Sequence, residues 1–359
     1  MMNRNMKNIY LKILAHQSDN PHLALATVTR TNGSTPQKPG SSALFDKKGL
    51  ISGTVGGGVV EGRVEKLARE AILSKKSGHF LFTLSNDISK KEEAICGGQI
   101  SVLIDANLNN YIAVFEELKK SFDNRVPGVL ITMVTRFAEE TVLINRYWMT
   151  STIKPDLPKE FLEKIEPVVN NMLSEDNPSD YREMELTIPD EEPSSLFFLE
   201  AVFPSASLII AGAGHIARCL AHLADMLGFE VTVIDDRPEY ANSENIPEAS
   251  HIIVKDIGEA LQDLKKNYDT YVVIVTRGHK DDAAALKPCI GSEVAYTGMI
   301  GSRNKIAAMR SEFIENGLAT PDQWEKVYTP IGLDIKSRTV EEIAISIAAQ
   351  LVLVRNNKQ

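Results

Sequence analysis

Leu208-Ile-Ile-Ala-Gly-Ala-Gly-His-Ile-Ala217, followed at Val231-Thr-Val-Ile-Asp235 by a second apolar run, decides the fold of the C-terminal half. The first run is a short buried strand, and Gly212-Ala-Gly214-His-Ile-Ala217 is a turn of the form G-x-G-x-x-A. Arg218 to Leu227 then continues as a helix that stops at Gly228. Strand, glycine turn, helix and strand in this order are the opening unit of a dinucleotide-binding fold, with Asp235 at the position that bonds ribose hydroxyls. Gly212 permits the tight turn and Gly214 lets the backbone approach a pyrophosphate. The amides that start the helix favour negative charge there. A doubly wound domain that binds no nucleotide has the same pattern, so that alternative stays open.

Two further apolar runs end in polar loops. Tyr271 to Thr276 leads into Arg277-Gly-His279, and Val294 to Ile300 leads into Gly301-Ser302-Arg303-Asn304-Lys305. Ligands sit beyond the carboxyl ends of parallel strands, so these loops and the Gly212 turn are expected to share one crevice. Thr339 and Glu342 form a capping box ahead of Val340 to Val354, whose Ile343, Ile347, Leu351 and Val354 read as core.

The N-terminal half carries the densest glycine cluster. In Ile51-Ser-Gly-Thr-Val-Gly-Gly-Gly58, four glycines fall within six residues, and helical periodicity follows at once with Val60, Val64, Leu67, Ala71 and Ile72 on one face. So many glycines together suggest close backbone approach to an anion. The stretch is not a P-loop, because no G-K-[ST] follows. Two structural turns bracketing a hairpin would also account for it. Glu61 is either a helix-start charge or a ligand contact. Cys96 is either a small core residue or a thiolate presented beside Gly97 and Gly98.

The 359 residues are 43% hydrophobic, enough for two buried cores. The longest apolar run, Ile343 to Val354, is interrupted by Ser346 and Gln350 and is too short to span a bilayer. A net charge of −9 argues against a nucleic-acid groove. Cys96, Cys219 and Cys289 form no C-x-x-C pair, which suits a reducing, cytoplasmic setting, and Cys219 and Cys289 read as packing residues. His215, His251 and His279 lack helical metal-site spacing; His215 and His279 are expected to meet an anionic ligand. Residues 154–193 hold twelve acidic against four basic residues and six of the sixteen prolines, and are read as a solvated insertion carrying a helix around Phe161 to Met172 and a strand from Tyr181 to Ile188. The expected division is an N-terminal α/β domain with glycine-rich loops, 1–203, and a C-terminal Rossmann-like doubly wound parallel sheet, 204–359. No hydrolase nucleophile motif occurs.

Gly33-Ser-Thr-Pro-Gln-Lys-Pro-Gly40, Gly53-Thr-Val-Gly-Gly-Gly58 with Glu61, Cys96-Gly-Gly98, Gly212-Ala-Gly-His215, Asp235-Asp-Arg237, Thr276-Arg-Gly-His279, Gly301-Ser-Arg303 and Pro330-Ile-Gly-Leu-Asp334 together resemble the signature of XdhC/CoxI proteins, from about Ala24 to Val354. The resemblance implies an accessory protein that binds molybdopterin, protects it during sulfuration and delivers it to an apo-molybdenum hydroxylase such as xanthine dehydrogenase. It also implies a homodimer, and a cysteine desulfurase is an expected partner. On this reading Gly56, Gly57 and Gly58 cradle the pterin phosphate, Ser34, Thr35 and Lys38 add polar contacts, and Cys96 meets molybdenum. Gly212, Gly214, His215, Asp235, Arg237, Arg277, His279, Ser302 and Arg303 line the C-terminal crevice, where NAD(P) or another nucleotide would bind. Two other functions stay open: an NAD(P)-dependent oxidoreductase and a nucleotide-sensing partner protein.

Overall fold

The computed structural model of the protein describes residues 9–17, 22–84, 98–136, 142–174, 180–187 and 195–357. It divides into two compact units, Met1–Pro204 and Ser205–Gln359.

The first unit contains α1 (Ile9–Gln17), β1 (Ala24–Asn32), β2 (Ser42–Asp46), β3 (Gly49–Gly53), α2 (Gly58–Ser74), β4 (Gly78–Thr83) and β5 (Gln99–Asp105). After a 3-10 turn come α3 (Ile112–Asp123), β6 (Gly128–Arg136), β7 (Val142–Met149), α4 (Lys159–Leu173), β8 (Tyr181–Leu186) and β9 (Ser195–Val202). Two antiparallel sheets result, ordered β3-β2-β1-β5-β4 and β7-β6-β9-β8. Helix α2 covers one face of the first sheet with Val60, Val64, Ala68, Ala71 and Ile72. Ala68 takes the seam that periodicity assigned to Leu67, which is only partly buried.

The acidic stretch is more than a solvated insertion. Phe161, Ile165, Val169 and Met172 of α4, spaced three or four residues apart on one face, pack with Val129, Ile131, Phe197 and Leu199 of the second sheet, and β8 forms that sheet's edge. Its acidic outer face is solvated and its apolar underside is core. Burial at about 25 cal/mol per Å² stabilises each such large side chain by about 1.5–3 kcal/mol, so this underside cannot be trimmed without loss. Ile188, placed in the expected strand, lies outside the described residues.

The second unit is mixed α/β and doubly wound. Its elements are β10 (Ser207–Ala211), α5 (His215–Met226), β11 (Glu230–Asp235), β12 (His251–Val254), α6 (Ile257–Asp263), β13 (Thr270–Ile274), α7 (His279–Leu286), β14 (Tyr296–Met299), α8 (Arg303–Glu315), α9 (Pro321–Glu325) and α10 (Val340–Asn357). All five strands are parallel, in the order β12-β11-β10-β13-β14. The strand order reverses between β10 and β13, which places a crevice beyond Ala211 and Ile274. Both faces of the sheet are covered, which is why its strands are apolar throughout and show no alternation. Helices α5 and α10 contribute to the core on one face, and α6 to α9 to the core on the other. Cys289 is buried in the second of these cores, where burial pushes its thiol up to about 11, as befits a packing residue.

Helix α10 carries two polar residues inward. The Tyr296 hydroxyl and the Gly332 amide both donate to Gln350 Oε1, at 2.6 and 2.8 Å, and the Ser346 hydroxyl donates to the Leu333 carbonyl at 2.6 Å. The two interruptions of the apolar run therefore hold the Pro330–Asp334 loop to the sheet.

Candidate functional site

In the first unit three glycine-bearing segments converge. Gly53, Gly56, Gly57 and Gly58 all have positive φ, at 88°, 137°, 67° and 55°. A Cβ on Gly56 would lie 2.7 Å from Pro36 Cγ, so this glycine lets the turn close against the Gly33–Gly40 loop. At Gly57 and Gly58 a Cβ would meet nothing within 4 Å among the described residues. Gly57 caps α2 without a side-chain hydrogen bond. The first amides of α2 thus lack a side-chain cap, and the adjoining glycine Cβ positions face open space, the geometry that receives an anion. At Gly98 a Cβ would lie 2.5 Å from the Ser34 carbonyl oxygen, which sets Gly98 against the same loop. Cys96 and Gly97 themselves lie outside the described residues.

The other expected contacts are oriented as follows. Ser34 is exposed. The Thr35 hydroxyl donates to the Gln37 carbonyl at 2.9 Å, and Lys38 Nζ lies 3.8 Å from Asp180. Glu61 stands in the first turn of α2, and its buried Oε1 has no hydrogen-bond partner among the described residues. A buried carboxylate oxygen without a partner is costly, and the two readings of Glu61, a helix-start charge and a ligand contact, both fit this position.

In the second unit, Gly212 has φ 109°, and a Cβ there would lie 2.6 Å from the Val275 carbonyl oxygen; glycine is what allows β10 and β13 to run on side by side. Gly214 opens α5 with nothing within 4 Å of its Cβ position, and Gly278, ahead of α7, is equally open. His215 is exposed at the start of α5.

Asp235 is engaged within its own unit. Its carboxylate accepts the Ala213 amide at 2.8 Å, the Arg237 amide at 3.1 Å, and Arg237 Nε and Nη2 at 2.8 and 2.9 Å. Burial opposes its ionisation, but these hydrogen bonds, led by Arg237, outweigh it and hold the carboxyl below its ordinary range. Four donors use the acceptor sites of a carboxylate, so a ribose could reach Asp235 only by displacing Arg237. Arg237 also lies over the Tyr240 ring at 4.1 Å. Arg277 bridges Asp236 at 2.8 Å and Asp281 at 3.1 Å, and His279 Nε2 lies 3.0 Å from Glu312. These crevice charges are answered within the protein.

Ser302 caps α8 by accepting the Lys305 amide at 3.4 Å, and Arg303 is exposed. Sequence reasoning missed Asp282. Fully buried in α7, it accepts hydrogen bonds from Thr276 and Lys305, and so ties the loop that follows β13 to the first turn of α8. The apolar pattern of the strands carries no signal for such a pair; only Thr276 and Lys305, at strand ends, were visible.

Among the described residues no group of His, Cys, Asp and Glu could hold a metal ion, and no helix is long and apolar enough to cross a membrane.

The chain matches two family models, one described as the XdhC Rossmann domain over residues 208–351 and one as the XdhC and CoxI family over residues 16–84. It is 26% identical over 354 residues to a Bacillus subtilis (strain 168) protein described as a probable xanthine dehydrogenase subunit, covering 98% of each. It is 32% identical over 151 residues to the uncharacterized protein YqeB of Escherichia coli (strain K12), covering 42% of this chain and 27% of that protein. A crystal structure described as a xanthine dehydrogenase from Bacillus halodurans superposes with a TM-score of 0.75 at 22% identity, over 98% of this chain and 96% of that one, and so shares the fold. With both units matched in order and the glycine-bearing segments assembled, the chain belongs to the XdhC and CoxI family, the xanthine dehydrogenase accessory family.

Proposed function

We propose that this protein binds the molybdenum cofactor through its pterin phosphate, shelters it during sulfuration and delivers it to an apo-molybdenum hydroxylase of the xanthine dehydrogenase type. The observation that carries this reading is the uncapped start of α2, where Gly57 and Gly58 leave the amides accessible. The residues present fit the group: a phosphate requires convergent N–H donors and no Cβ in the way, and this turn supplies both. Bound there, the cofactor would bring a molybdenum centre able to take up sulfur. The protein's own part is to hold the phosphate and keep water from the pterin. A cysteine desulfurase as sulfur donor and a homodimer as the working form belong to the same proposal, as does a ligand role for Cys96.

An NAD(P)-dependent oxidoreductase has less support, because Asp235 is closed by Arg237 and the Ala213 amide. A nucleotide in the second crevice would rely on the amides at Gly214 and Gly278 instead.

The test is Gly57→Val, expressed anaerobically in a host that makes molybdopterin. Wild type should co-purify with pterin and activate apo-xanthine dehydrogenase. The variant, whose Cβ enters the space of the anion and whose branched side chain resists positive φ, should lose at least about ten-fold of the bound pterin while keeping its far-UV spectrum. Equal pterin in both proteins would refute the phosphate cradle.

A further inference from the structure

The Gly33–Gly40 loop has a second neighbour. Strands β1 and β5 are paired so that Asn32 lies opposite Gln99 and Arg30 opposite Ser101, and β4 continues these rows with Thr83 beside Gln99 and Leu81 beside Ser101. Residues opposite one another in a sheet share a face, so two primary amides stand side by side with a hydroxyl in the next row. A cleft of about 820 Å³ opens here, lined by Arg30, Asn32, His79, Leu81, Gln99 and Ser101 among others. Its size is that of a pocket for a small organic molecule.

The side chains of Asn32, Gln99 and Ser101 make no hydrogen bond within the described residues. Arg30 is ion-paired with Glu183, so this cation is already neutralised. What remains is a pair of unengaged amides, each offering one acceptor and two donors, flanked by Leu81, which is 64% exposed. Amides in such a pair read the edge of a flat heteroaromatic ring, as Asn and Gln do with a purine edge, while apolar side chains cover its faces. An uncharged ring with alternating donors and acceptors matches this lining; a phosphate does not.

We propose that this cleft holds the ring of the pterin, with Asn32 and Gln99 reading its polar edge. The proposal rests on the pterin function above. Asn32 directly precedes Gly33, and Pro36 of the same loop packs on Gly56, so the ring and phosphate positions flank one loop.

The experiment uses the full chain and two probes by calorimetry: 6-hydroxymethylpterin, which has no phosphate, and inorganic pyrophosphate, which has no ring. The Asn32→Ala/Gln99→Ala double variant should weaken 6-hydroxymethylpterin binding about ten-fold or more through the loss of two amide contacts, and leave pyrophosphate unchanged. Gly57→Val should do the reverse. Both amides are exposed, so the fold should persist; if thermal unfolding of the double variant is altered, Gln99→Leu alone gives the same reading. Failure of wild type to bind 6-hydroxymethylpterin at millimolar concentration, or equal binding by wild type and the variant, would overturn the ring assignment whatever pyrophosphate does. Failure of wild type to bind pyrophosphate while it binds 6-hydroxymethylpterin would count against the phosphate cradle and not against the ring.

Discussion

Each unit has a glycine turn that opens a helix, and the two turns are built alike up to a point. In each, one glycine is jammed against its surroundings, Gly56 by Pro36 and Gly212 by the Val275 carbonyl, and another faces open space, Gly57 and Gly58 in the first unit and Gly214 in the second. The nearby carboxylates then part company. Asp235 collects four donors from its own unit, whereas Glu61 keeps a buried oxygen with no partner among the described residues. A turn whose polar groups are matched internally is a finished structural element. One whose helix start has no side-chain cap, beside a carboxylate oxygen with no partner among the described residues, still has polar groups to satisfy. On this comparison the proposed phosphate site lies in the first unit, although the second has the more familiar motif.

The sharpest way to break the comparison is to fill both turns. Gly212→Ala places a Cβ against a backbone carbonyl at positive φ and should destabilise the second unit by about 2–4 kcal/mol. Gly57→Ala meets no neighbour among the described residues but must adopt φ 67° and ψ 177°, a region open essentially to glycine alone, and should cost the first unit about 1–3 kcal/mol. The units can be followed separately in denaturant, because Trp148 and Trp324 are the two tryptophans of the chain, one in each. Equal losses would mean that the Gly57 position is as crowded as Gly212.

The next test uses pH, and the two units should respond with opposite signs. Glu200 is pushed up to about 7 by burial, only partly offset by the Tyr10 hydroxyl that donates to it at 2.7 Å and by Arg146. The folded form therefore keeps a proton that the unfolded chain gives up near 4.5, and the first unit should lose stability as pH rises from about 4.5 to 7, by about 1–3 kcal/mol. Glu200→Gln should flatten that slope. Asp235 is held below 3.8, so its contribution is present above that value and is lost as pH falls through its folded pKa, and Asp235→Asn should flatten the acid limb of the second unit. Slopes of the same sign in both units would contradict the assignment of a carboxyl raised by burial to the first unit and one lowered by hydrogen bonds to the second.

The smallest effect is expected at Gly214→Ala. With φ −76° and nothing within 4 Å, alanine fits there, and stability should change by less than about 0.5 kcal/mol or rise slightly. Titration with NAD, NADP, AMP and CMP then has a clear meaning. A nucleotide that binds wild type and is lost in this variant would give the second crevice a ligand and narrow the contrast between the units.

Much of the second unit was legible in the sequence because its signals are local. Fully buried parallel strands are unbroken apolar runs, and the glycine turn and helix follow within a few residues. The first unit was harder, since β1 pairs with β5 across some seventy residues and nothing local encodes that register. The acidic stretch misled for a related reason: composition records the solvated face of α4, whereas only its three- and four-residue spacing records the face packed on Phe197. At the sites, the glycines were readable because conformation limits them to glycine. The direction of Asp235 was not, even with Arg237 two residues away, and neither was the burial of Asp282 beneath Lys305.

Gln350 shows how such non-local ties constrain the chain over longer times. Its one amide oxygen receives both the Tyr296 hydroxyl and the Gly332 amide, while its nitrogen returns to the Gly332 carbonyl at 3.4 Å. Replacing it by leucine would strand two donors at once, whereas exchanging Tyr296 for phenylalanine first would leave only the loop amide to satisfy. Positions 296 and 350 should therefore covary among relatives, with tyrosine at the first accompanying glutamine at the second. Lineages that lose the pair should pass through the phenylalanine intermediate, since the reverse order crosses the deeper fitness valley.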